Sequence, residues 1–146
     1  MKGKTVTIEI LGKPIAKARP RFKRLGKFVK TYDIQDESKN NIALIAQKTA
    51  QEQLYGNPLE GQLMVSIDCF FEPPKSSSKK QLDLMLTNKI RHVKRPDCTN
   101  IAKFYEDAFN GIIWKDDSQI VHLVIRKWYG ETAKVFITIQ EIKEEV

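Results

Sequence analysis

Asn100-Ile-Ala-Lys-Phe-Tyr-Glu-Asp-Ala-Phe-Asn110-Gly111 is the stretch on which the fold turns, flanked by Lys94-Arg-Pro-Asp97-Cys-Thr on one side and Lys115-Asp116-Asp117-Ser-Gln119 on the other. Ile101, Phe104, Tyr105, Ala108 and Phe109 recur at helical spacing and form one apolar stripe, so the segment predicts an amphipathic helix. Asn110-Gly111 supplies the residues that end a helix. The strand-like run Ile120 to Trp128 follows after the segment that holds Asp116 and Asp117. This helix and that strand, with the acids between them, are the frame for everything else.

Outward from that helix, Thr5 to Leu11 alternates Val6, Ile8 and Ile10 with polar residues, the period of a half-buried strand. Gln35 to Leu54 places Ile42, Ile45, Ala46, Thr49, Ala50 and Leu54 at helical spacing and predicts a long helix closed by Asn57-Pro58. Gln62 to Glu72 carries Leu63, Val65, Ile67, Cys69 and Phe71 on one face, with Pro73-Pro74 forbidding further pairing. A basic insertion over 75–95 holds a short helix near Leu82 to Leu86. Ile120 to Trp128 and Lys134 to Gln140 flank Tyr129-Gly130-Glu131-Thr132 and predict a hairpin. Strands outside a βαβ rhythm give an α+β class, a mixed sheet packed against two main helices.

At 146 residues with 41% apolar content, a single domain over 1–146 is expected. The formal net charge of +7 favours a polyanionic partner. From Lys13 to Lys30 there are eight basic residues and no acid, interleaved with Pro14, Pro20, Phe22 and Phe28. That run predicts a basic arm over 13–30, an extended loop or hairpin, with Lys17, Arg19, Arg21, Lys23, Arg24 and Lys27 meeting phosphates or simply solvated. Cys69 and Cys98 lack the spacing and His partners of a zinc site and are expected to be reduced thiols. No apolar run is long enough for a signal peptide or a bilayer span, so a soluble cytoplasmic protein with no membrane partner is expected.

Within this basic chain, the carboxylates before and after the helix stand out. Asp97, after Pro96, has two readings: a helix cap, or a ligand for a divalent cation. Asn100, Lys103 and Asp107 fall in a narrow arc of the helical wheel, apart from the apolar stripe. Lys103 is either an exposed lysine bridging to Asp107 or a cation that stabilises charge on a phosphate. Asp116 and Asp117 are either a turn or acids at a strand's mouth. They become functional if that strand brings them beside Asp97.

Arg-Pro-Asp97-Cys-Thr-Asn100-Ile-Ala-Lys103, then Asp107-Ala-Phe-Asn110-Gly111-Ile, then Asp116-Asp117-Ser-Gln119-Ile-Val resemble, in order and spacing, the signature of the RusA-type Holliday junction resolvases. Gly12-Lys-Pro-Ile-Ala-Lys-Ala-Arg19-Pro-Arg21-Phe22, Pro74-Lys75-Ser76 and Ser78-Lys79-Lys80 are similar to the longer members, so the resemblance spans most of the chain. It implies a RusA-like fold and a homodimeric endodeoxyribonuclease, bacterial or encoded by a phage or prophage. Such an enzyme cuts four-way or branched DNA with Mg²⁺ or Mn²⁺ and no small-molecule cofactor. Carried over, Asp97, Lys103 and Asp117 are the catalytic residues. Asp97, Asp117, Asp116 and Thr99 are the metal-site residues, and Lys75, Lys79, Lys80 and Asn100 join the basic arm as DNA-binding residues.

Thr99 stands where the family's motif has a second aspartate, which removes one charge from the metal site. Asp107 is the candidate to compensate, because Glu106 lies off the Asn100–Lys103–Asp107 line. Two other functions remain: a protein that binds junctions without cutting them, and a basic RNA-binding or adaptor protein whose acids are caps and turns.

Overall fold

A computed structural model describes residues 2–18, 21–26, 28–32 and 36–144, with the side chains of 2, 21–25, 28–32 and 36 outside the description. Its strands are β1 (Lys2–Leu11), β2 (Arg21–Leu25), β3 (Phe28–Tyr32), β4 (Gln62–Phe71), β5 (Ile120–Tyr129) and β6 (Lys134–Ile142). Its helices are α1 (Asp36–Leu54), α2 (Lys79–Leu86) and α3 (Cys98–Phe109). A one-turn 3₁₀ segment, Asp117–Gln119, leads into β5.

The main sheet has the order β1-β6-β4-β5, with β6 antiparallel to both neighbours and β4 parallel to β5. Alternation in the sequence becomes alternation in burial. Val6, Ile8 and Ile10 of β1, Val135, Ile137 and Ile139 of β6, and Leu63, Val65, Ile67, Cys69 and Phe71 of β4 all lie in the core. Ile42, Ala46, Ala50 and Leu54 of α1 join this core, as do Ile101, Phe104, Tyr105, Ala108 and Phe109 of α3. Phe104, Tyr105, Phe109 and Trp114 meet edge to face, with successive centroids 5.2, 6.3 and 5.9 Å apart.

The expected β5–β6 hairpin is corrected: β4 lies between the two strands. Residues 130–133 carry the chain across the end of β4, where the Gly130 amide donates to the Phe71 carbonyl. The turn residues mark a reversal but do not say which strands pair. β4, apolar along one whole face, is stabilised by having a neighbour on each side.

The two edges of the sheet differ. On β1, the Gln53 side chain accepts from the Thr7 amide (3.1 Å) and donates to the Thr7 carbonyl (2.8 Å), so α1 occupies that edge. On β5, Arg91 covers only the far end. Its Nε donates to the Lys127 carbonyl at 2.6 Å, and its guanidinium stacks 3.5 Å from the Trp128 ring centroid. The near half of β5 leaves Val121 and Leu123 59% and 40% exposed.

α2 forms the short helix expected in the insertion and starts on a capping box between Ser78 and Gln81. β2 and β3 pair as a separate hairpin through a turn at Gly26. Of the expected basic arm, the part from Arg21 onward is a hairpin, while 13–18 is a segment without regular structure. Among the described residues, no helix is long and apolar enough to cross a membrane.

Candidate functional site

α3 organises the candidate residues. Asp97 caps it: Oδ1 accepts from the Asn100 amide at 2.8 Å, and Oδ2 accepts from Asn100 Nδ2 at 3.3 Å. The cap reading of Asp97 is what the structure shows, and it leaves the carboxylate exposed with lone pairs to spare. Asn100 is thus engaged in holding Asp97, and its carbonyl accepts from the Lys17 amide at 2.9 Å. Thr99 and Lys103 are exposed on successive turns of the helix.

Asp107 is ion-paired with Lys17. That pair, the Lys17–Asn100 backbone bond and the Ile15 amide donating to Tyr105 Oη at 3.2 Å fasten the 12–18 segment along one side of α3. Burial pushes the Tyr105 phenol up to about 12, although the Ile15 contact opposes the shift.

The other side of α3 holds an acid that lies off the Asn100–Lys103–Asp107 line. Glu106 is half-buried, and burial first, then the carboxylates of Asp117 and Asp107, raise it above the ordinary carboxylate value against the pull of Lys103. Asp117 is fixed from below by the core: the indole Nε1 of buried Trp114 donates to its Oδ1 at 2.9 Å. Thr99, Lys103, Glu106 and Asn110 lie within about 60° on the helical wheel, a stripe visible in the sequence had it been centred one residue differently. Asp117 therefore acts electrostatically on Glu106, while Asp107 is ion-paired with Lys17.

Asp116 is a turn residue: it caps the 3₁₀ segment, accepting from the Ser118 amide at 2.9 Å and from the Ser118 hydroxyl. Those hydrogen bonds hold it below the usual carboxylate range.

Asp97 and Asp117 sit at opposite ends of α3. The Pro96 carbonyl accepts from Lys127 Nζ at 2.8 Å, which places Asp97 beside the far end of β5. Gln119 donates to the carbonyls of Leu59 and Gly61, which places Asp117 where β4 and β5 begin. Asp97 and Glu106, the neighbour of Asp117, are nine residues apart on the helix, about 13 Å along its axis. Two ligands of one Mg²⁺ each lie about 2 Å from it. Among the described residues, no three His, Cys, Asp or Glu side chains come together to hold a metal. The oxygen donors suit a hard divalent cation in kind, but one chain does not bring Asp97 and Asp117 to the same ion.

Of the remaining candidates, Arg19 and Lys27 lie outside the described residues, as do the side chains of Arg21, Lys23 and Arg24. Lys75 lines a cavity of about 630 Å³ with Lys13, Lys94, Arg95, Glu72 and His92. Four cations against one acid make this cavity electropositive. In its wall, His92 stacks on Phe71 at 3.8 Å, and burial, then Lys127 and Lys94, depress its basicity. Lys94 and Arg95 were not singled out by sequence because they look like ordinary basic residues ahead of a helix. Lys79 and Lys80 are exposed in the first turn of α2, where the helix dipole disfavours cations.

The profile of the family described as Endodeoxyribonuclease RusA matches residues 12–140. Uncharacterized protein YqaN of Bacillus subtilis (strain 168) is similar at 30% identity over 145 residues, which cover 94% of this chain and 96% of that protein. The matched span contains α3, the Asp97 cap, Lys103, Asp117 and, of the main sheet, β4, β5 and β6 as far as Gln140, so this chain belongs to the RusA endodeoxyribonuclease family.

Proposed function

We propose that the protein is a structure-selective endodeoxyribonuclease that binds four-way or branched DNA as a homodimer and resolves it by paired phosphodiester hydrolysis, with Mg²⁺ or Mn²⁺ required. The observation that carries this reading is family membership over residues 12–140 together with the Asp97, Lys103 and Asp117 positions of its motif. RusA resolvases are generally divalent-metal dependent.

The geometry supports roles for particular residues. Lys103, exposed on α3 and close enough to depress Glu106, is the cation placed to stabilise charge on the scissile phosphate. Asp117 is oriented by the Trp114 indole and Asp97 by the Asn100 amide, which supports a fixed presentation of both carboxylates. The hairpin arm, with Lys17, Arg19, Arg21, Lys23, Arg24 and Lys27, contacts the phosphate backbone beside α3, because residues 12–18 are bound along that helix. Lys75, Lys79, Lys80, Lys94 and Arg95 extend the positive surface around the far end of β4 and α2.

The test is cleavage of a labelled mobile four-way junction with Mg²⁺ or Mn²⁺, beside Asp117→Asn and Thr99→Asp. Paired symmetric nicks that disappear in Asp117→Asn support resolution. Binding without nicks, with cutting restored by Thr99→Asp, identifies a junction-binding protein. Preference for RNA over the junction removes the proposal altogether.

A further inference from the structure

The electropositive cavity between the ends of β1 and β4 and the segment ahead of α3 has an apolar floor that contact with phosphates alone does not call for. Resting on the junction-binding reading above, we propose that it is a base pocket. One unstacked nucleotide of the bound DNA enters it beside Asp97, with its base against the His92–Phe71 stack and its flanking phosphates on Lys13, Lys75, Lys94 and Arg95.

Three observations lead there. First, the lining is divided by polarity. Phe71 is buried and Pro73, Ala133 and His92 are half-buried, whereas Lys13, Lys75, Lys94 and Arg95 are exposed around them. Among the described residues none of these four cations forms an ion pair, and Glu72 is the one acid of the lining, so the positive charge is available to a ligand. Phosphates need only the cations; an apolar floor with flat rings suits the face of a base. At about 630 Å³ the cavity falls among sites that enclose a small ligand. Second, the wall holds a ring with an unmet hydrogen bond. His92 lies flat on Phe71, with 9° between the planes, and Tyr129 meets it edge-on at 5.4 Å. Its Nδ1 is buried without a hydrogen-bond partner, the one such side-chain atom among the described residues. Burial, then Lys127 and Lys94, depress its basicity, so the imidazole is neutral at pH 7 and offers one donor and one acceptor. A base edge carries both kinds of group side by side, whereas a phosphate ester only accepts. A small turn of the ring on Phe71 would bring Nδ1 to that edge.

Third, the cavity is pinned in place next to Asp97. Lys127 Nζ donates to the carbonyls of Lys94 at 2.6 Å and Pro96 at 2.8 Å, and the Gly12 amide donates to the Ala133 carbonyl at 3.0 Å, so two of its walls are fixed before DNA arrives. Arg95 precedes Asp97 by two residues, at most about 7 Å of chain. Stacked nucleotides follow one another at about 3.4 Å along a strand. The base that enters is therefore within about two nucleotides of the phosphate nearest Asp97. Such a pocket reads the shape of DNA and not its charge. Taking a base out of an intact duplex costs its pairing and stacking, and the cost is least where the base is already unpaired. Strands exchange partners at the centre of a four-way junction, so a base is most easily released there. The basic surface holds any DNA, while the pocket adds affinity only where a base is free to enter.

The experiment places a fluorescent adenine analogue, quenched while stacked in a duplex, at successive positions around the centre of a four-way junction. Wild-type, His92→Ala and Thr132→Phe proteins are titrated without divalent metal, so that no strand is cut. Thr132 is an exposed residue of the lining, and a phenyl ring there fills the cavity from its edge. Wild-type protein should raise the emission at one position or two adjacent ones, and both variants should lose that rise. In both, the ratio of junction affinity to duplex affinity should fall about tenfold, the contribution of one stacked base, while affinity for plain duplex stays at the wild-type value. Excess free deoxynucleoside monophosphate should leave the emission in place, since a base tethered in the bound DNA outcompetes it. The pocket is overturned by wild-type emission that never rises, by a rise or an affinity ratio that survives in either variant, or by duplex affinity that falls in parallel with junction affinity. Emission lost to the free nucleotide overturns it as well. Wild-type protein that binds no four-way DNA would instead refute the junction-binding reading.

Discussion

Asp117 has two separable jobs in this structure, and a pair of substitutions tells them apart. Trp114 is buried, and its Nε1 donates to Asp117 Oδ1 at 2.9 Å. Asp117→Ala leaves that indole N–H without its acceptor in a largely apolar setting, which costs about 2 kcal/mol. For a chain of this length, such a loss lowers Tm by about 4–8 °C. Asp117→Asn keeps a carbonyl oxygen in reach and loses only the charge assistance of the bond, about 1 kcal/mol or less. Both substitutions remove the negative charge that raises Glu106, so that gain is common to the two and cancels in their difference. Thermal unfolding followed by near-ultraviolet circular dichroism, which reports the packing of Trp114, should place the alanine variant several degrees below the asparagine variant. Junction cutting should disappear in both. Equal Tm values would mean that the indole bond contributes nothing to stability, and the claim that the core orients Asp117 would fall with it.

Glu106→Gln should flatten the pH dependence of stability above the ordinary carboxylate range. Because the folded state raises the acid, folding is penalised as pH rises through the raised value, and below the unfolded value the penalty is absent; an unchanged Tm-versus-pH slope in the variant counts against the raised acid. Asp68 behaves in the opposite sense. Burial pushes it up, but hydrogen bonds from Arg126 (2.7 Å) and Trp128 (2.9 Å) and the charges of Arg126 and Arg91 outweigh burial and leave it depressed. Its contribution is present above the unfolded value and lost as pH falls through the depressed one. Asp68→Ala should therefore lower urea resistance at pH 7 by about 1–3 kcal/mol, with a smaller deficit near pH 3; equal deficits at both pH values would refute this. Arg19→Ala with Arg21→Ala should weaken junction binding regardless of sequence and reduce the slope of log K against log salt by about 1 for each phosphate that the variant no longer neutralises. An unchanged slope removes the arm from the interface.

How far the sequence could be read follows from the range over which each signal acts. α3 was legible because Ile101, Phe104, Tyr105, Ala108 and Phe109 repeat with the helix period, and all five are buried. β4 was legible from its alternation and the Pro73-Pro74 stop. The β5–β6 hairpin was misread because Tyr129-Gly130-Glu131-Thr132 signals a reversal, while partner choice depends on β4, nearly 60 residues earlier in the chain. Order and spacing named Asp97 and Asp117, but separation in space depends on α3 running antiparallel to β5, and no local pattern encodes that. The ion pair of Asp107 was illegible for a related reason: the wheel ranks residues of one helix against one another, whereas its partner Lys17 lies more than 80 residues upstream.

The sheet order has a consequence for how the molecule assembles. Among the described residues, β2 and β3 pair although they are close neighbours in sequence, whereas each pair in the main sheet joins segments dozens of residues apart. β1 has β6 as its sheet partner, and β4 finds both its neighbours in strands that come later in the chain. Rates of folding fall as contacts become less local. The arm that carries the positive charge therefore needs only local contacts for its strand pairing, while the sheet that carries the carboxylates waits on segments dozens of residues apart.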